Sequence, residues 1–204
     1  MFRPPYIPIA MGPLAGRDIG QSYSAKRKSA IHNWHHENGA IFVDAGQWLR
    51  PQYYLRNGEA NTTENMDVAI TREVQGTRES VGIVDVSTLG KIDIQGADSS
   101  KFLNRIYTNG WTKLAIGKAR YGLMLREDGI VFDDGTTSRL SEHHYFMTTT
   151  TSNAASVLSH MEFCLQVHWP DLDVKISSVT EQWAAMAIAG PKSRDVLQKA
   201  IDEE

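Results

Sequence analysis

The pattern of apolar and polar residues predicts short strands interspersed with amphipathic helices. Strict alternation over residues 91–95 is typical of a half-buried strand, whereas apolar residues at helical spacing predict helices elsewhere. The predicted helices cover residues 30–39, 63–82, 98–106, 153–166 and 190–201, and the predicted strands cover 40–44, 84–86, 91–95, 119–125, 130–134, 148–151, 173–179 and 183–189. This order departs from regular strand–helix alternation. It predicts an α+β fold with mixed or antiparallel sheets and flanking helices.

The segment 119–134 is the most informative part of the chain. Asp128-Gly129 lies between two apolar runs, which predicts a β-hairpin with a type I′ turn. The second strand runs directly into Asp133 and Asp134, and neighbouring strand side chains point to opposite faces. We therefore expect Asp134 to face a cavity and Asp133 to point away from it. The alternative is a solvated strand end, because polar residues 148–151 would suit a pocket wall or an open sheet face equally well.

Composition narrows the class of protein. The chain has 204 residues, 41% of them hydrophobic and 22% charged, which is ordinary for a folded globular domain. The formal net charge is −3, and the only basic cluster is residues 26–28, so a nucleic-acid partner is not expected. Cys164 is the only cysteine, which excludes an internal disulfide and favours a reducing compartment. The apolar runs are shorter than the ~20 residues of a membrane span, so we predict a cytoplasmic protein.

Other patterns argue against a metal or a dinucleotide on this chain. His32, His35 and His36 have a spacing that places them on one helix face, but the metalloprotease pattern His-Glu-x-x-His is absent. We interpret them as surface or packing residues and predict no metal site. No strand is followed by Gly-x-Gly-x-x-Gly, so neither a flavin nor NAD is expected to bind here. Cys164, between Phe163 and Leu165, is expected to be a small buried hydrophobe.

Three ordered segments carry a family resemblance: GIVDVSTLG at 82–90, the hairpin ending in Asp133-Asp134, and IAGP at 188–191. Together they resemble the folate-dependent aminomethyltransferase of the glycine cleavage system. The strings DVSTLGKIDIQGAD, ARYGLMLREDG, DDGTTSRL, HYFMTTTTSNA and WPDLDVKI are similar to the folate-binding domains of sarcosine oxidase α subunits. On this resemblance, residues 1–29, with four of the seven prolines, form a Pro-rich arm or linker. Residues 30–204 form the folate-binding domain, which is expected to be incomplete at its C-terminus.

The resemblance implies a function and a site. In such enzymes a flavin on a separate β subunit oxidises sarcosine, and tetrahydrofolate on the α subunit takes up the one-carbon unit as 5,10-methylenetetrahydrofolate. Flavin and NAD would therefore lie elsewhere in the complex. Asp134 matches the catalytic aspartate near the reactive folate nitrogen, and Leu89 and Tyr121 match residues that line the folate pocket. A fixed carboxylate suits this chemistry, because the condensation passes through cationic intermediates.

The sequence also departs from the family pattern. Thr88 stands where the glycine-cleavage enzymes carry His, and Thr150 stands where they carry Asn. Charged folate-contacting residues of the family's second half are not part of this chain, so tetrahydrofolate is expected to bind it more weakly than a full-length domain. Two alternatives stay open: a stand-alone aminomethyltransferase, against which Thr88, Thr150 and the N-terminal arm argue, and a non-catalytic interaction module with the same fold.

Overall fold

The computed structural model describes residues 26–56 and 64–201, so most of the predicted N-terminal arm lies outside the described residues. The strands are β1 (Arg27–Lys28), β2 (Ala40–Ala45), β3 (Trp48–Tyr54), β4 (Gly82–Asp85), β5 (Gly90–Gln95), β6 (Ala119–Leu125), β7 (Val131–Ser141), β8 (His144–Thr149), β9 (Lys175–Ser178) and β10 (Met186–Ala189). The α-helices are α1 (His32–Glu37), α2 (Met66–Glu79), α3 (Ser99–Ile106), α4 (Ala154–Phe163) and α5 (Ser193–Ala200). Short 3-10 turns at Thr151–Asn153 and Thr180–Gln182 and a π-helical turn at Cys164–His168 complete the described elements.

The described strands form three sheets. The largest has five strands in the order β6-β7-β8-β5-β9, and each neighbouring pair is antiparallel. The second sheet has the order β1-β3-β2, with β1 parallel and β2 antiparallel to β3. The third is the antiparallel pair of β4 and β10. The predicted α+β class with mixed or antiparallel sheets and flanking helices is therefore confirmed.

One face of the five-stranded sheet carries the hydrophobic core. Alternate residues of its strands point toward α3 and α4, whose apolar residues recur at helical spacing and face the sheet. The fully buried members are Ile94, Phe102, Leu103, Trp111, Met124, Tyr145, Met147, Val157 and Met161. Burial of each such aliphatic or aromatic side chain contributes roughly 1.5–3 kcal/mol to folding. Cys164 belongs to the same core and is buried, as predicted.

The hairpin of β6 and β7 forms at the predicted place, but its turn differs from the predicted type I′. The amide of Gly129 donates to the carbonyl of Arg126, and the amide of Arg126 donates to the carbonyl of Ile130. Glu127 and Asp128 are therefore the central residues of the turn, and Gly129 follows with φ of 82°. A three-residue loop of this kind needs glycine at the left-handed position, which explains why the Asp-Gly pair occurs there.

Two glycines of the five-stranded sheet leave room for close contacts that a side chain would block. Gly122 and Gly135 pair across β6 and β7. A Cβ atom on Gly135 would lie 2.0 Å from the carbonyl oxygen of Thr148, and one on Gly122 would lie 2.8 Å from Cζ2 of Trp111. Any larger residue at Gly135 would push β7, and Asp134 with it, away from β8.

Two strands were not predicted from the sequence. β1 lies at the end of the predicted arm and β3 follows β2. β1 owes its form to parallel pairing with β3, which lies further along the chain, and no local pattern reveals such a pairing. Helix α2 begins at Met66 because the Asn65 side chain accepts a hydrogen bond from the Val68 amide at 3.0 Å and thereby caps it. The helix ends at Glu79, so it is shorter at both ends than the predicted helix 63–82.

Candidate functional site

Asp133 and Asp134 lie on opposite faces of the five-stranded sheet, as strand alternation predicts. Asp133 pairs with the fully buried Met124 and is itself buried. Asp134 pairs with the exposed Leu123 and is half-buried on the other face. Strand β7 therefore presents one carboxylate to the interior and one to a surface that the described residues leave open.

Tyr121 and Asp134 are joined directly. The Tyr121 hydroxyl donates to Oδ2 of Asp134 at 2.5 Å, across a diagonal of the β6–β7 pairing. This hydrogen bond to the carboxylate, more than burial, raises the pKa of Tyr121 above its ordinary value. The phenol therefore stays protonated at neutral pH, and its ring, 57% exposed, stands on the open face beside a carboxylate.

Threonines and aromatic residues continue this open face across the sheet. The Thr148 hydroxyl accepts a hydrogen bond from the Thr136 amide at 3.1 Å, which leaves both side chains on the Asp134 side of β7 and β8. Further along β8, the Phe146 ring lies edge-on to the ring of Trp183, with centroids 5.7 Å apart. We call the surface formed by Tyr121, Leu123, Asp134, Thr136, Phe146 and Thr148 the open face. It combines one carboxylate, hydroxyl groups and aromatic rings, which is the mixture that a planar polar ligand needs.

Asp133 has a structural task on the opposite side. Its Oδ2 accepts a hydrogen bond from the Thr150 amide at 3.2 Å, and its Oδ1 accepts one from the Asn153 side chain at 3.4 Å. The side chain of Asn153 also donates, through Nδ2, to the Phe132 carbonyl at 2.8 Å. Asp133 therefore anchors the turn that leads from β8 into α4.

Leu89 lies in the turn that joins β4 to β5. This turn consists of residues 86–89, and we call it the 86–89 turn. Its amide donates to the Val86 carbonyl at 3.1 Å, which closes the turn. Lys91 pairs with Thr148, so its side chain leaves the sheet on the open-face side, and its ammonium donates to the carbonyls of Ser87 at 2.8 Å and Leu89 at 2.9 Å. These bonds place the turn on the same side of the sheet as Asp134.

A buried cluster of polar side chains, formed by His35, Tyr54 and Asp85, is hydrogen-bonded to the 86–89 turn. His35 Nε2 lies 2.9 Å from Oδ2 of Asp85, and the Tyr54 hydroxyl lies 2.6 Å from His35 Nδ1. An ionised carboxylate only accepts hydrogen bonds, so His35 Nε2 donates to it, and a neutral ring then accepts from Tyr54. Oδ1 of Asp85 accepts from the Ser87 amide at 2.9 Å. The cluster thus connects α1, β3 and β4 to the turn that carries Leu89.

Hydrogen bonding sets the ionisation of this cluster. Burial alone would raise the pKa of Asp85, but hydrogen bonds from Ser29, Ser87 and His35 outweigh it and lower the pKa to about 2. Burial and the neighbouring charges of Glu73 and Asp85 raise the pKa of Tyr54 to about 12. Asp85 is therefore ionised and Tyr54 is protonated at neutral pH.

Sequence reasoning overlooked Lys91, Asp85 and the role of His35. The alternation of residues 91–95 predicts an exposed side chain at Lys91, yet only 2% of this residue is exposed. The preceding turn folds back over it, which a period-two pattern cannot show. His35 was expected to be a surface or packing residue, and it is buried and paired with Asp85. No set of three potential ligand side chains that could hold a metal ion occurs within residues 26–56 and 64–201.

The fold and these motifs define the class of protein. The chain belongs to the family described as the GCVT N-terminal domain, whose model matches residues 31–204. Over 203 residues the chain is 53% identical to the sarcosine oxidase subunit alpha of Rhizobium meliloti (strain 1021), and over 200 residues it is 52% identical to that of Corynebacterium sp. (strain P-1). These matches cover 100% and 98% of this chain but 20% of each relative, so the chain spans about a fifth of their length.

Aminomethyltransferases form the second group of relatives. The chain is 31% identical over 176 residues to the aminomethyltransferase of Thermotoga neapolitana, a match that covers 86% of this chain and 44% of the relative. The glycine cleavage system aminomethyltransferase T from Bartonella henselae has the same fold, with a TM-score of 0.73 at 22% identity, over 86% of this chain and 44% of that one. The predicted resemblance and the predicted fold are both confirmed. Within residues 26–56 and 64–201, no helix is long and apolar enough to cross a membrane.

Proposed function

We propose that this chain is the tetrahydrofolate-binding part of a sarcosine oxidase α subunit, and that it accepts the one-carbon unit of oxidised sarcosine to form 5,10-methylenetetrahydrofolate. The observation that carries the proposal is the Tyr121–Asp134 pair on the open face, in a chain 53% identical to a sarcosine oxidase subunit alpha. The flavin and NAD would bind elsewhere in the complex, and a flavin-bearing β subunit would be the partner. We assign the protein to the cytoplasm, because its only cysteine, Cys164, is a free thiol, as is usual in a reducing compartment.

The open face fits a folate. A pterin ring is planar and edged with hydrogen-bond donors and acceptors, so it needs an aromatic or apolar surface beside polar groups. Tyr121 and Leu89 supply the apolar contacts, and the Asp134 carboxylate supplies an acceptor for a ring or amine N–H. Bound tetrahydrofolate would supply the two amine nitrogens that bond to the transferred carbon.

Asp134 is the proposed catalytic residue. Its fixed negative charge stabilises the positive charge that develops when an amine condenses with an iminium carbon, and the charge needs no reorganisation during the reaction. Tyr121 holds the carboxylate through the 2.5 Å hydrogen bond and so limits its rotamers. The carboxylate is half-buried, so it also has the access needed to accept a proton from a folate nitrogen and pass it to the leaving amine.

Calorimetric titration of tetrahydrofolate into the full chain under anaerobic conditions tests the proposal. We expect one saturable site, and we expect Leu89→Ala and Tyr121→Phe to weaken binding. Val167→Ala is the matched control, because Val167 is an exposed apolar residue in the π-helical turn after α4, on the core side of the sheet.

The outcomes separate the alternatives. Failure of the folded wild-type chain to bind tetrahydrofolate would overturn the proposal and favour an interaction module of the same fold. If Leu89→Ala, Tyr121→Phe and Val167→Ala all bind tetrahydrofolate as tightly as the wild type, the chain binds the ligand, but at a site other than the open face.

A further inference from the structure

Lys91 is a buried charged residue that makes none of the proposed contacts with tetrahydrofolate. It leaves β5 on the open-face side, and only 2% of the residue is exposed. A buried ammonium group is costly unless its donors are satisfied. Two of its three donors are satisfied by backbone carbonyls of a single short turn, that of residues 86–89.

The amide, the carbonyl and the hydroxyl of Ser87 all make hydrogen bonds that fix the 86–89 turn. The Ser87 amide donates to Asp85 at 2.9 Å, and its carbonyl accepts from the Lys91 ammonium at 2.8 Å. The Ser87 hydroxyl accepts from the Ala185 amide at 3.0 Å, which ties the turn to the segment before β10. The buried and oppositely charged side chains of Asp85 and Lys91 therefore bind the backbone amide and the backbone carbonyl of Ser87, respectively.

The same lysine also reaches the residue predicted to touch the ligand. Its ammonium bonds the Leu89 carbonyl at 2.9 Å. The hydroxyl of Thr88, between the two bonded carbonyls, lies 3.2 Å from that of Thr151 in the turn after β8. The position of Leu89 therefore depends on the hydrogen bonds that hold the 86–89 turn, and Lys91 makes two of them.

We propose that Lys91 is a positioning residue, which fixes Leu89 for tetrahydrofolate binding by holding the carbonyls of Ser87 and Leu89, an inference that rests on the proposed function. Burial lowers the pKa of Lys91, and the Asp85 charge opposes that shift. The hydrogen bonds to the two carbonyls hold the ammonium beside the turn. Without the ammonium, two carbonyls lose their donors and the turn gains other conformations.

The first test compares Lys91→Met with Lys113→Met, which removes an exposed lysine in the connection between α3 and β6. We expect the Lys91→Met chain to bind tetrahydrofolate at least ten-fold more weakly, with the Lys113→Met chain unchanged. Lys91→Gln replaces the ammonium with a neutral amide on a shorter side chain, which has two N–H donors instead of three, and its affinity should fall between those of Lys91→Met and the wild type. A folded Lys91→Met or Lys91→Gln chain with wild-type affinity would overturn the inference.

The second test needs neither a variant nor a ligand. In the wild-type chain, scalar couplings across hydrogen bonds between Lys91 Nζ and the carbonyl carbons of Ser87 and Leu89 should be detectable by NMR, together with slow exchange of the ammonium protons. Their absence, with a fast-exchanging ammonium, would overturn the inference even if Lys91→Met failed to fold. Detection of these couplings in a chain that does not bind tetrahydrofolate would leave the turn geometry intact and place the failure on the proposed function.

Discussion

The two faces of the five-stranded sheet are built from the same strands but have opposite characters. The face toward α3 and α4 carries fully buried apolar residues such as Met124 and Met147, and even its carboxylate, Asp133, is enclosed by hydrogen bonds. The open face carries Tyr121, Asp134 and threonines, and much of it is accessible. Consecutive residues of one strand therefore serve folding on one side and the proposed chemistry on the other.

This contrast teaches how one sequence pattern serves two purposes. A period-two alternation requires only that one face be buried, so the opposite face is free to vary with function. Residues on the open face contribute little to stability and can be chosen for binding. Substitutions on the two faces can show whether stability and binding separate in this way.

The largest effect on stability is expected for Met124→Ala. Met124 is fully buried on the core face, and truncation of such a residue costs about 2–5 kcal/mol of unfolding free energy. Leu123→Ala, its neighbour on the open face, should cost about 1 kcal/mol or less. Urea denaturation followed by circular dichroism measures both, and equal losses would remove the distinction between the faces.

Protonation of Asp85 at low pH should lower the free energy of unfolding. The pKa of Asp85 is lowered to about 2 in the folded chain, below its unfolded value. The group therefore contributes stability that is fully present above pH 4 and is lost as the pH falls toward 2. The expected loss is roughly 2 kcal/mol. Unfolding free energies measured between pH 5 and pH 2 should show this slope, and the slope should be shallower in Asp85→Asn.

A smaller loss is expected for Asp133→Asn. The amide keeps one acceptor oxygen but loses the charge that strengthens the bonds from Thr150 and Asn153, which is worth about 1 kcal/mol. Thermal and urea denaturation at neutral pH measure the change. An Asp133→Asn chain as stable as the wild type would show that Asp133 does not anchor the turn.

The smallest effect on stability is expected for Tyr121→Phe. Its hydroxyl lies on the exposed side of the sheet, so its loss should change the unfolding free energy by less than about 0.5 kcal/mol. Because the Asp134 bond raises the pKa of Tyr121, the phenol absorption of Tyr121 should titrate at lower pH in Asp134→Asn. An unchanged titration would mean that the two groups are not bonded in solution.

The sequence supports the fold prediction where signals are local. The hairpin of β6 and β7, the alternation of β5 and the helical spacing in α3 and α4 all follow from periods of two and 3.6 residues. The opposite orientations of Asp133 and Asp134 follow from the same rule. The family resemblance adds the proposed roles of Leu89, Tyr121 and Asp134, which no periodicity could supply.

What the sequence does not reveal depends on contacts between distant segments. The burial of Lys91 results from the fold of the 86–89 turn over β5, and the pairing of His35 with Asp85 joins helix α1 to strand β4, 50 residues further along the chain. The strand at Arg27–Lys28 exists only because β3 lies beside it. Local propensity carries no information on such long-range pairings, so these features required the structure.

The most direct test of the division between the two faces compares Asp134→Asn with Asp133→Asn, two neighbours with the same chemical change. Calorimetry with tetrahydrofolate and urea denaturation should be carried out on both full chains. We predict that Asp134→Asn binds at least ten-fold more weakly, a change of about 1.4 kcal/mol, while its unfolding free energy stays within about 0.5 kcal/mol of the wild type. Asp133→Asn should show the reverse, a loss of stability with nearly unchanged affinity. Wild-type affinity in Asp134→Asn, or an equal loss of affinity in both variants, would contradict the account.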